Sequence, residues 1–275
     1  MEFPVTEARG QFSSKLGFIL AAAGSAVGLG NVVAFPVMAS KNGGAAFLII
    51  YLFFIAFICY PVMMAEIAMG RQTNRNPVGA FSQLSNGHRG WRLAGALAIV
   101  TPFMIAVFYT VITVWLVVYI KEIAIGRLDV LSNQSTFGDV VARPSLFGYL
   151  FGLLCLIFFI LLGGVKGGIE RLARILMPTL ALMLVSLTLF VLTLDNAIAG
   201  IRYYLVPDFS RMNLSVINGA LSQAFFSLSL GMGILVTYGS YFNRQDNMPQ
   251  STQMAAVAEE TISLLAGLVS ISARV

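Results

Sequence analysis

Residues 16–40 form one uncharged run, bounded by Lys15 and Lys41. A run of this length can cross a bilayer as a helix. Its middle, however, holds three glycines within seven residues, followed by an asparagine and a proline. Glycine weakens a helix and proline removes a backbone donor, and a membrane tolerates freed backbone groups only inside protein or beside a cavity. The run therefore predicts a broken helix whose break holds something polar, or a packing face built on the Gly24-xxx-Gly28 pair.

Composition places the whole chain in a membrane. Hydrophobic residues make up 58% of the 275 residues, charged residues 11%, and the mean hydropathy is +0.85. A soluble domain carries about 25% charge, so the sequence predicts an all-α membrane protein. The charge-poor runs predict about seven transmembrane helices, over residues 17–39, 44–69, 92–120, 146–164, 172–194, 214–241 and 254–271. More Lys and Arg fall in the loops on the side of the N-terminus, which predicts a cytoplasmic N-terminus.

The sixth predicted helix, over 214–241, repeats the character of the first. It is uncharged, and serines and glycines interrupt it between Gln223 and Gly233. A lone stripe of small residues would indicate packing. Two interrupted helices five elements apart are instead typical of inverted-repeat transporters, which bind their substrate between the breaks.

Four further features leave alternatives open. Glu66 ends an apolar run, and it could contact Arg71 at the interface or accept hydrogen bonds from a broken helix. The hydroxyl of Tyr109 needs a partner, either a neighbouring helix or a ligand. Residues 163–171 predict a tight cytoplasmic turn. Gly168 and Pro178, which are separated by nine residues, could let a half-helix unwind or could be ordinary turn and membrane-helix residues.

Enzymatic chemistry is not indicated. The single histidine, His88, lies in a polar loop, and Cys59 and Cys155 both lie in apolar runs, where they are small core residues rather than a disulfide or metal pair. No acid–base pair or nucleophile–histidine set appears. The net charge of +5 needs no nucleic acid to explain it, because basic loops set membrane orientation.

The motifs resemble those of the neurotransmitter:sodium symporters, in particular their prokaryotic amino-acid transporter branch. The resemblance rests on Gly24-Ser25-Ala26-Val27-Gly28-Leu29-Gly30-Asn31, Phe35-Pro36, Asn42-Gly43-Gly44, the 223–233 run and the Gly168…Pro178 pair. It implies a LeuT-type inverted-repeat transporter fold with the first and sixth helices broken, a first repeat over about 12–195 and the start of a second over about 214–271. It also implies sodium-coupled symport of a neutral amino acid across the cytoplasmic membrane by alternating access.

The same resemblance implies the binding residues. The substrate carboxylate would meet backbone N–H groups near Leu29 and Gly30 and the hydroxyl of Tyr109, as an anion at a half-helix N-terminus does. The implied substrate contacts are Ala26, Leu29, Gly30, Tyr109, Phe226, Ser227, Ser229 and Met232. One sodium ion would be held by the Ala26 carbonyl, Asn31, Ser227 and the substrate itself, and a second by carbonyls of Gly24 and Val27 plus ligands on an eighth helix.

Further positions are implied with gating or structural roles: Arg9 and Phe12 at a cytoplasmic gate, Phe226 as a lid, Glu66 as a cap of the broken helices, and Gly168, Pro178 and Tyr241. Tyr51, Gln223 and Ser227 match three chloride-site positions of animal members; the fourth, on the seventh helix, is not aligned, so chloride stays open. Glu259 and Glu260 lie near a sodium-ligand position of that helix, or at a helix start where acids favour the dipole.

Two departures from the family are its usual basic residue before Phe35-Pro36, replaced here by Ala34, and the length of the chain. Other residues indicate the substrate class. Monoamine carriers place an Asp where Gly28 stands here, which favours an amino acid as substrate, and the adaptable Met232 side chain favours a large apolar or aromatic one. The chain also stops in its seventh predicted helix, whereas the family has eleven or twelve. We therefore expect an incomplete copy of a symporter; the alternative is a non-transporting remnant or binding subunit of the same fold.

Overall fold

The computed structural model describes residues 11–127, 136–141, 143–194, 197–243 and 245–273, and the regular structure in these ranges is helical throughout. The helices are α1 (Lys15–Ala26), α2 (Gly30–Lys41), α3 (Ala45–Thr73), α4 (Pro77–Leu84), α5 (Arg89–Ala124), α6 (Thr136–Val141), α7 (Leu146–Leu162), α8 (Gly164–Val191), α9 (Ala197–Leu205), α10 (Leu214–Ser227), α11 (Ile234–Gly239) and α12 (Met248–Ser272).

The first predicted helix is broken as expected. Helices α1 and α2 meet at an angle of 59°, with residues 27–29 between them. Val27 is extended, and the N–H of Gly28, which would continue the ladder to Gly24, donates instead to Asn31 Oδ1 at 3.0 Å. Helix α2 then begins with a wide π turn, Gly30–Ala34. The break is therefore a local rearrangement of hydrogen bonds in which one asparagine replaces a helical acceptor.

The sixth predicted helix is broken too. Helix α10 ends at Ser227, and α11 begins at Ile234. Ser229, Gly231 and Gly233 between them have positive φ values of 54°, 76° and 65°. Two of these three residues are glycines, which adopt such angles at little cost, so the sequence itself directs the chain out of the helix here.

Five candidate membrane spans stand out in the described ranges. Helices α3, α5, α8 and α12 are long and apolar enough to cross a membrane, and α1 with α2 forms a bent fifth. Helix α7 is apolar but only 17 residues long, and the predicted 214–241 span is divided between α10 and α11. Five of the predicted spans thus have a counterpart long enough to cross a membrane in the described ranges, and the predicted total of about seven stays a prediction.

Two predicted boundaries were wrong. Residues 163–171 were expected to be a turn, but only Gly163 is; Gly164–Glu170 is a π-helical segment that continues into the rest of α8. Glycine is needed there because a Cβ on Gly168 would overlap the carbonyl oxygen of Ile160. The last helix begins at Met248 rather than 254, since Asn247 caps it by accepting the N–H of Gln250 at 3.0 Å.

The buried core lies where α1, α2, α3, α10 and α12 meet, around the aromatic rings of Phe18, Phe35, Phe47 and Tyr51. Helices α3 and α11 cross at very short range. A Cβ on Gly70 would overlap the carbonyl oxygen of Val236, and one on Gly239 would overlap that of Ile67. Helices α5 and α7, by contrast, expose large apolar side chains, as a lipid-facing surface does.

Candidate functional site

Asn31 joins the two helix breaks. Its side chain is 1% exposed, and its Oδ1 accepts the Gly28 N–H in the first break. Its Nδ2 faces Ser227 Oγ at 2.9 Å, Ser263 Oγ at 2.8 Å and Glu259 Oε1. Ser227 is the last residue of α10, just before the second break. The two breaks therefore meet through one amide group.

Two adjacent glutamates on α12 complete this arrangement. Glu259 Oε1 accepts hydrogen bonds from the hydroxyls of Ser227 at 2.6 Å and Ser263 at 3.2 Å. Glu260 Oε1 accepts one from the hydroxyl of Tyr51 at 3.1 Å. Both carboxyl groups are buried and lie within hydrogen-bonding reach of each other. The Oε2 atom of each has no hydrogen-bond partner. In the described ranges, no basic side chain forms an ion pair with either.

These six side chains, which we call the polar cluster, have the chemistry of a cation site. Two buried carboxyl groups side by side repel each other when charged, unless a cation or a proton lies with them. The hydroxyl oxygens around them suit hard cations, the amide of Asn31 presents its Nδ2 to them, and sulfur and imidazole are absent from the cluster. Its members are Asn31, Tyr51, Ser227, Glu259, Glu260 and Ser263. The donor set fits a sodium ion.

The position of the two glutamates excludes one sequence alternative. They were open to interpretation as acids at a cytoplasmic helix start. Since α12 begins at Met248, Glu259 lies three turns into the helix and is 1% exposed. Its carboxylate cannot therefore serve the helix N-terminus, whose dipole effect is confined to the first turn.

A second set of predicted residues meets beside the first break. The hydroxyl of Tyr109 lies in hydrogen-bonding reach of the backbone N–H of Gly30. Gly30 in turn lies under Phe226, because a Cβ there would be 2.5 Å from Phe226 Cε1. An amide N–H at a helix start and a phenol hydroxyl together form a place where a carboxylate can bind.

The remaining predicted substrate residues lie at the two breaks. Ala26 ends α1, and Leu29 directly precedes the π turn of α2. Ser229 is buried inside the second break, and Met232 is half-buried there. The structure thus brings the eight predicted substrate residues to the two breaks.

Glu66 lies at the second break. It is 8% exposed, and its Oε1 accepts the backbone N–H of Gly231 at 2.7 Å, while its Oε2 has no hydrogen-bond partner. Arg71 contacts the carbonyl of Asp246 and the ring of Phe242. The placement corresponds to the alternative in which Glu66 accepts a hydrogen bond from a broken helix.

The backbone predicted for a second sodium ion borders a groove. Gly24 and Val27 line a cavity of about 420 Å³ between α1 and α8, together with Met177 and Tyr238. The Gly28 N–H does not close the ladder to Gly24, as described above. Backbone oxygen is therefore available at the end of α1, next to this groove.

The predicted gating and chloride residues are placed as follows. Phe12 is buried against Phe18 and Tyr238, and its N–H donates to the carbonyl of Tyr241 at 3.2 Å. Arg9 lies outside the described residues. Pro178 lies inside an unbroken α8, and Gly168 lies in its π segment. The Tyr51 hydroxyl also lies 3.0 Å from Ser227 Oγ, and Gln223 Nε2 donates to the carbonyl of Gly30 at 3.1 Å.

Sequence reasoning missed Ser263 and gave Glu259 and Glu260 no firm role. A signal existed for the glutamates, because two consecutive acids inside an apolar helix are costly unless they are functional. Ser263 carried no such signal in the sequence, since a single serine in a membrane helix is common.

Comparison with known proteins places these features in a family. The sequence profile of the Sodium:neurotransmitter symporter family matches residues 9–129 and 140–273. This chain belongs to that family. Among its relatives, the uncharacterized sodium-dependent transporter YhdH of Bacillus subtilis is 36% identical over 94% of this chain, and one of Methanocaldococcus jannaschii is also 36% identical over 94%.

A solved structure shares the fold. The crystal structure of MhsT in complex with L-phenylalanine is 39% identical to this chain, with a TM-score of 0.85 over 96% of the chain. The chain spans 58% of the length of YhdH, 54% of the length of the archaeal relative and 61% of that MhsT chain. The LeuT-type helical transporter fold and the sodium-dependent transporter family predicted from the sequence are thus confirmed.

Proposed function

We propose that this chain takes part in sodium-coupled symport of a neutral amino acid with a large apolar or aromatic side chain. The observation that carries the proposal is the contact of the two helix breaks through Asn31 and Ser227, with two buried carboxyl groups beside them. Binding of a cation and an amino acid between two half-helices would account for buried carboxyl groups at this position.

Sodium would bind at the polar cluster. Ser227, Glu259 and Ser263 would supply side-chain oxygens, and the Ala26 carbonyl at the end of α1 a backbone one. Asn31 would supply its Oδ1 in place of the hydrogen bond from the Gly28 N–H. A second ion would use the carbonyls of Gly24 and Val27. Each cation offsets negative charge that the burial of Glu259 otherwise makes costly.

The amino acid would bind with its carboxylate at Gly30 and Tyr109. That carboxylate would carry the negative charge opposite the sodium ion proposed at the neighbouring Asn31. Each ligand would therefore strengthen the binding of the other, and this coupling is reciprocal. Alternating access then follows if the half-helices on either side of the breaks tilt between two arrangements, with Phe226 covering the substrate.

The substrate class follows from what the first break contains. Gly28 has no side chain, and its Cβ position faces Tyr109 at 3.5 Å, so no acid stands there to pair with the amine of a monoamine. Among the relatives, MhsT is seen with L-phenylalanine, and the bovine relative is named a sodium-dependent neutral amino acid transporter. A neutral amino acid fits both.

Chloride is not required in this proposal. Two hydroxyls that could hold the anion, those of Tyr51 and Ser227, already donate to the carboxyl groups of Glu260 and Glu259. A buried chloride beside two carboxylates would add a third negative charge. Replacing chloride by gluconate should leave sodium-dependent binding unchanged, and a loss of binding in gluconate would contradict this part of the proposal.

We further propose a multi-pass location in the cytoplasmic membrane with a cytoplasmic N-terminus, and a division into two repeats, 12–195 and 214–271. The support for the repeats is that each starts with a broken helix.

The test is sodium-dependent binding and uptake of labelled phenylalanine, leucine and glycine by the reconstituted 275-residue chain, with choline replacing sodium as the control. Asn31→Ala serves as the site variant. Binding and uptake that require sodium and favour phenylalanine support the proposal. Binding without uptake favours the alternative of a binding subunit. Amino-acid binding by well-folded protein that ignores both sodium and Asn31→Ala would refute the proposed site.

A further inference from the structure

A cluster of polar contacts at the beginning of α1 is not used by the proposed site. Glu170, the last residue of the π segment of α8, is 1% exposed. Its Oε2 accepts the backbone N–H of Ser13 at 2.9 Å, and its Oε1 accepts the Ser13 hydroxyl. Arg174, one helical turn further along α8, donates to Glu170 Oε1 at 2.6 Å. A buried carboxylate that satisfies both of its oxygens in this way is a strong attachment point.

The same arginine also reaches α1 directly. It donates to Ser13 Oγ at 2.7 Å and to Ser14 Oγ at 2.8 Å. Ser14 is the N-cap of α1, since its Oγ accepts the Gly17 N–H at 3.0 Å. We call Ser13, Glu170 and Arg174 the clasp. It attaches the residues just before α1 to the first turns of α8, and the residues that it joins are more than 150 positions apart in the sequence.

Glycine at position 17 makes the clasp possible. A Cβ on Gly17 would overlap the Glu170 carboxylate. Glycine is otherwise unfavourable inside a helix by about 1 kcal/mol relative to alanine. The absence of a side chain at this position in α1 therefore has a specific use, which is to let the carboxylate lie against the helix backbone.

The clasp joins the same two helices, α1 and α8, that border a groove. Residue 12, directly before it, is bonded to Tyr241 beyond α11, so residues 12–14 bridge α11 and α8. The cavity lined by Ala21, Gly24 and Val27 lies further along α1, between α1 and α8. If α1 is to swing away from α8, the clasp must open first.

We propose that Glu170 is a positioning residue that holds the N-terminal half of α1 closed against α8, and that opening of the clasp exposes α1 and the groove beside it. This inference rests on the proposed alternating access for its role in transport. The closure itself is a property of the chain that can be measured without any transport.

The experiment measures thiol labelling of a buried reporter on α1. Ala21 is 1% exposed, so Ala21→Cys, in a background of Cys59→Ala and Cys155→Ala, reports the opening of α1. Ala220 on α10, which is 0% exposed, provides a matched reporter, Ala220→Cys, for general loosening of the core. Both are treated with a hydrophilic maleimide in membranes, with the whole chain present.

Glu170→Gln keeps the size of the side chain and removes its charge, so it should speed labelling of Ala21→Cys by about tenfold and leave Ala220→Cys unchanged. Gly17→Ala should do the same by displacing the carboxylate, although alanine is the better helix former. This second variant changes none of the three clasp residues themselves, so it guards against a folding defect of Glu170→Gln.

Labelling that stays slow in both variants would overturn the inference, and so would equal acceleration at both reporters, which indicates general loosening. If the wild-type chain shows no sodium-dependent binding while the reporter on α1 responds as expected, the proposed function fails and the clasp stands. If sodium-dependent binding is present and the reporter on α1 does not respond, the inference about the clasp is refuted and the proposed function is not.

Discussion

Glu259→Gln is the sharpest test of the polar cluster, because it removes one charge and almost nothing else. Glutamine keeps a carbonyl oxygen in place of Oε1, which accepts bonds from Ser227 and Ser263 at 2.6 and 3.2 Å. What is lost is a buried negative charge beside the proposed sodium ion. The variant therefore separates the electrostatic contribution of Glu259 from its role in packing.

The size of the effect follows from the burial of that charge. Two unit charges about 4 Å apart attract by about 4 kcal/mol at the effective dielectric of a protein site. Glu260 remains nearby and supplies part of the same potential, so we expect a loss of about 2 to 2.7 kcal/mol. This corresponds to sodium binding that is about 30- to 100-fold weaker.

Thermal unfolding with and without sodium measures this directly. At a concentration 100 times its dissociation constant, sodium stabilises the wild-type chain by about 2.7 kcal/mol, and for the variant the gain should fall below about 1 kcal/mol. Without sodium, the variant should be at least as stable as the wild type, since a like-charge repulsion with Glu260 has gone.

Glu122→Gln is the matched control, because Glu122 is also buried but pairs with Arg127 and Arg143 at 3.6 Å near the far end of α5. It should leave the sodium response unchanged. An unaltered sodium response in Glu259→Gln, or an equal loss in both variants, would refute the assignment of Glu259 to the cation site.

Three further predictions concern the helix breaks and their support. Tyr109→Phe should weaken amino-acid binding by about tenfold at saturating sodium, since it removes one hydrogen bond to a charged group; a radioligand titration with unchanged affinity would contradict this. Gly30→Ala should weaken the same binding because its Cβ would be 2.5 Å from Phe226 Cε1, and adding Phe226→Ala should relieve the overlap without restoring the lid. Gly70→Ala should lower stability by about 1 to 3 kcal/mol, because the neighbour it would overlap is the carbonyl oxygen of Val236 in the backbone; an unchanged melting temperature would show that α3 and α11 can separate freely.

The positions of the breaks could be predicted from the sequence, because they depend on local residues. Glycines within a few positions of each other, at 24, 28 and 30 and again at 231 and 233, weaken a helix wherever they stand. Local chemistry also determines the start of α12, yet that boundary was missed. The helix begins with the polar cap Asn247 and with Pro249 in its first turn. A boundary placed where the apolar run begins leaves these residues out.

The contents of the site could be predicted only in part. Asn31, Ser227 and Tyr109 were identified through motif resemblance, whereas Ser263 and the clasp were not. The bonds from Asn31 to Ser263 and from Ser13 to Glu170 join residues 232 and 157 positions apart. No periodicity in a single sequence specifies such a pairing. The π segment of α8 was missed for a related reason, because Gly168 is needed by its contact with Ile160 and not by a turn.

The π turn in the middle of α3 determines which side of that helix meets the core. Buried residues on α3 recur at every fourth position, at 47, 51, 55, 59, 63 and 67. In a regular helix each step of four advances the face by about 40°, so five steps would carry it about 200° around the axis, to the lipid side. The wider turn at Ile55–Cys59 holds an extra residue and turns the face back. One inserted residue thus sets the rotational phase of everything that follows, and without it Glu66 would point away from the second break it bonds to.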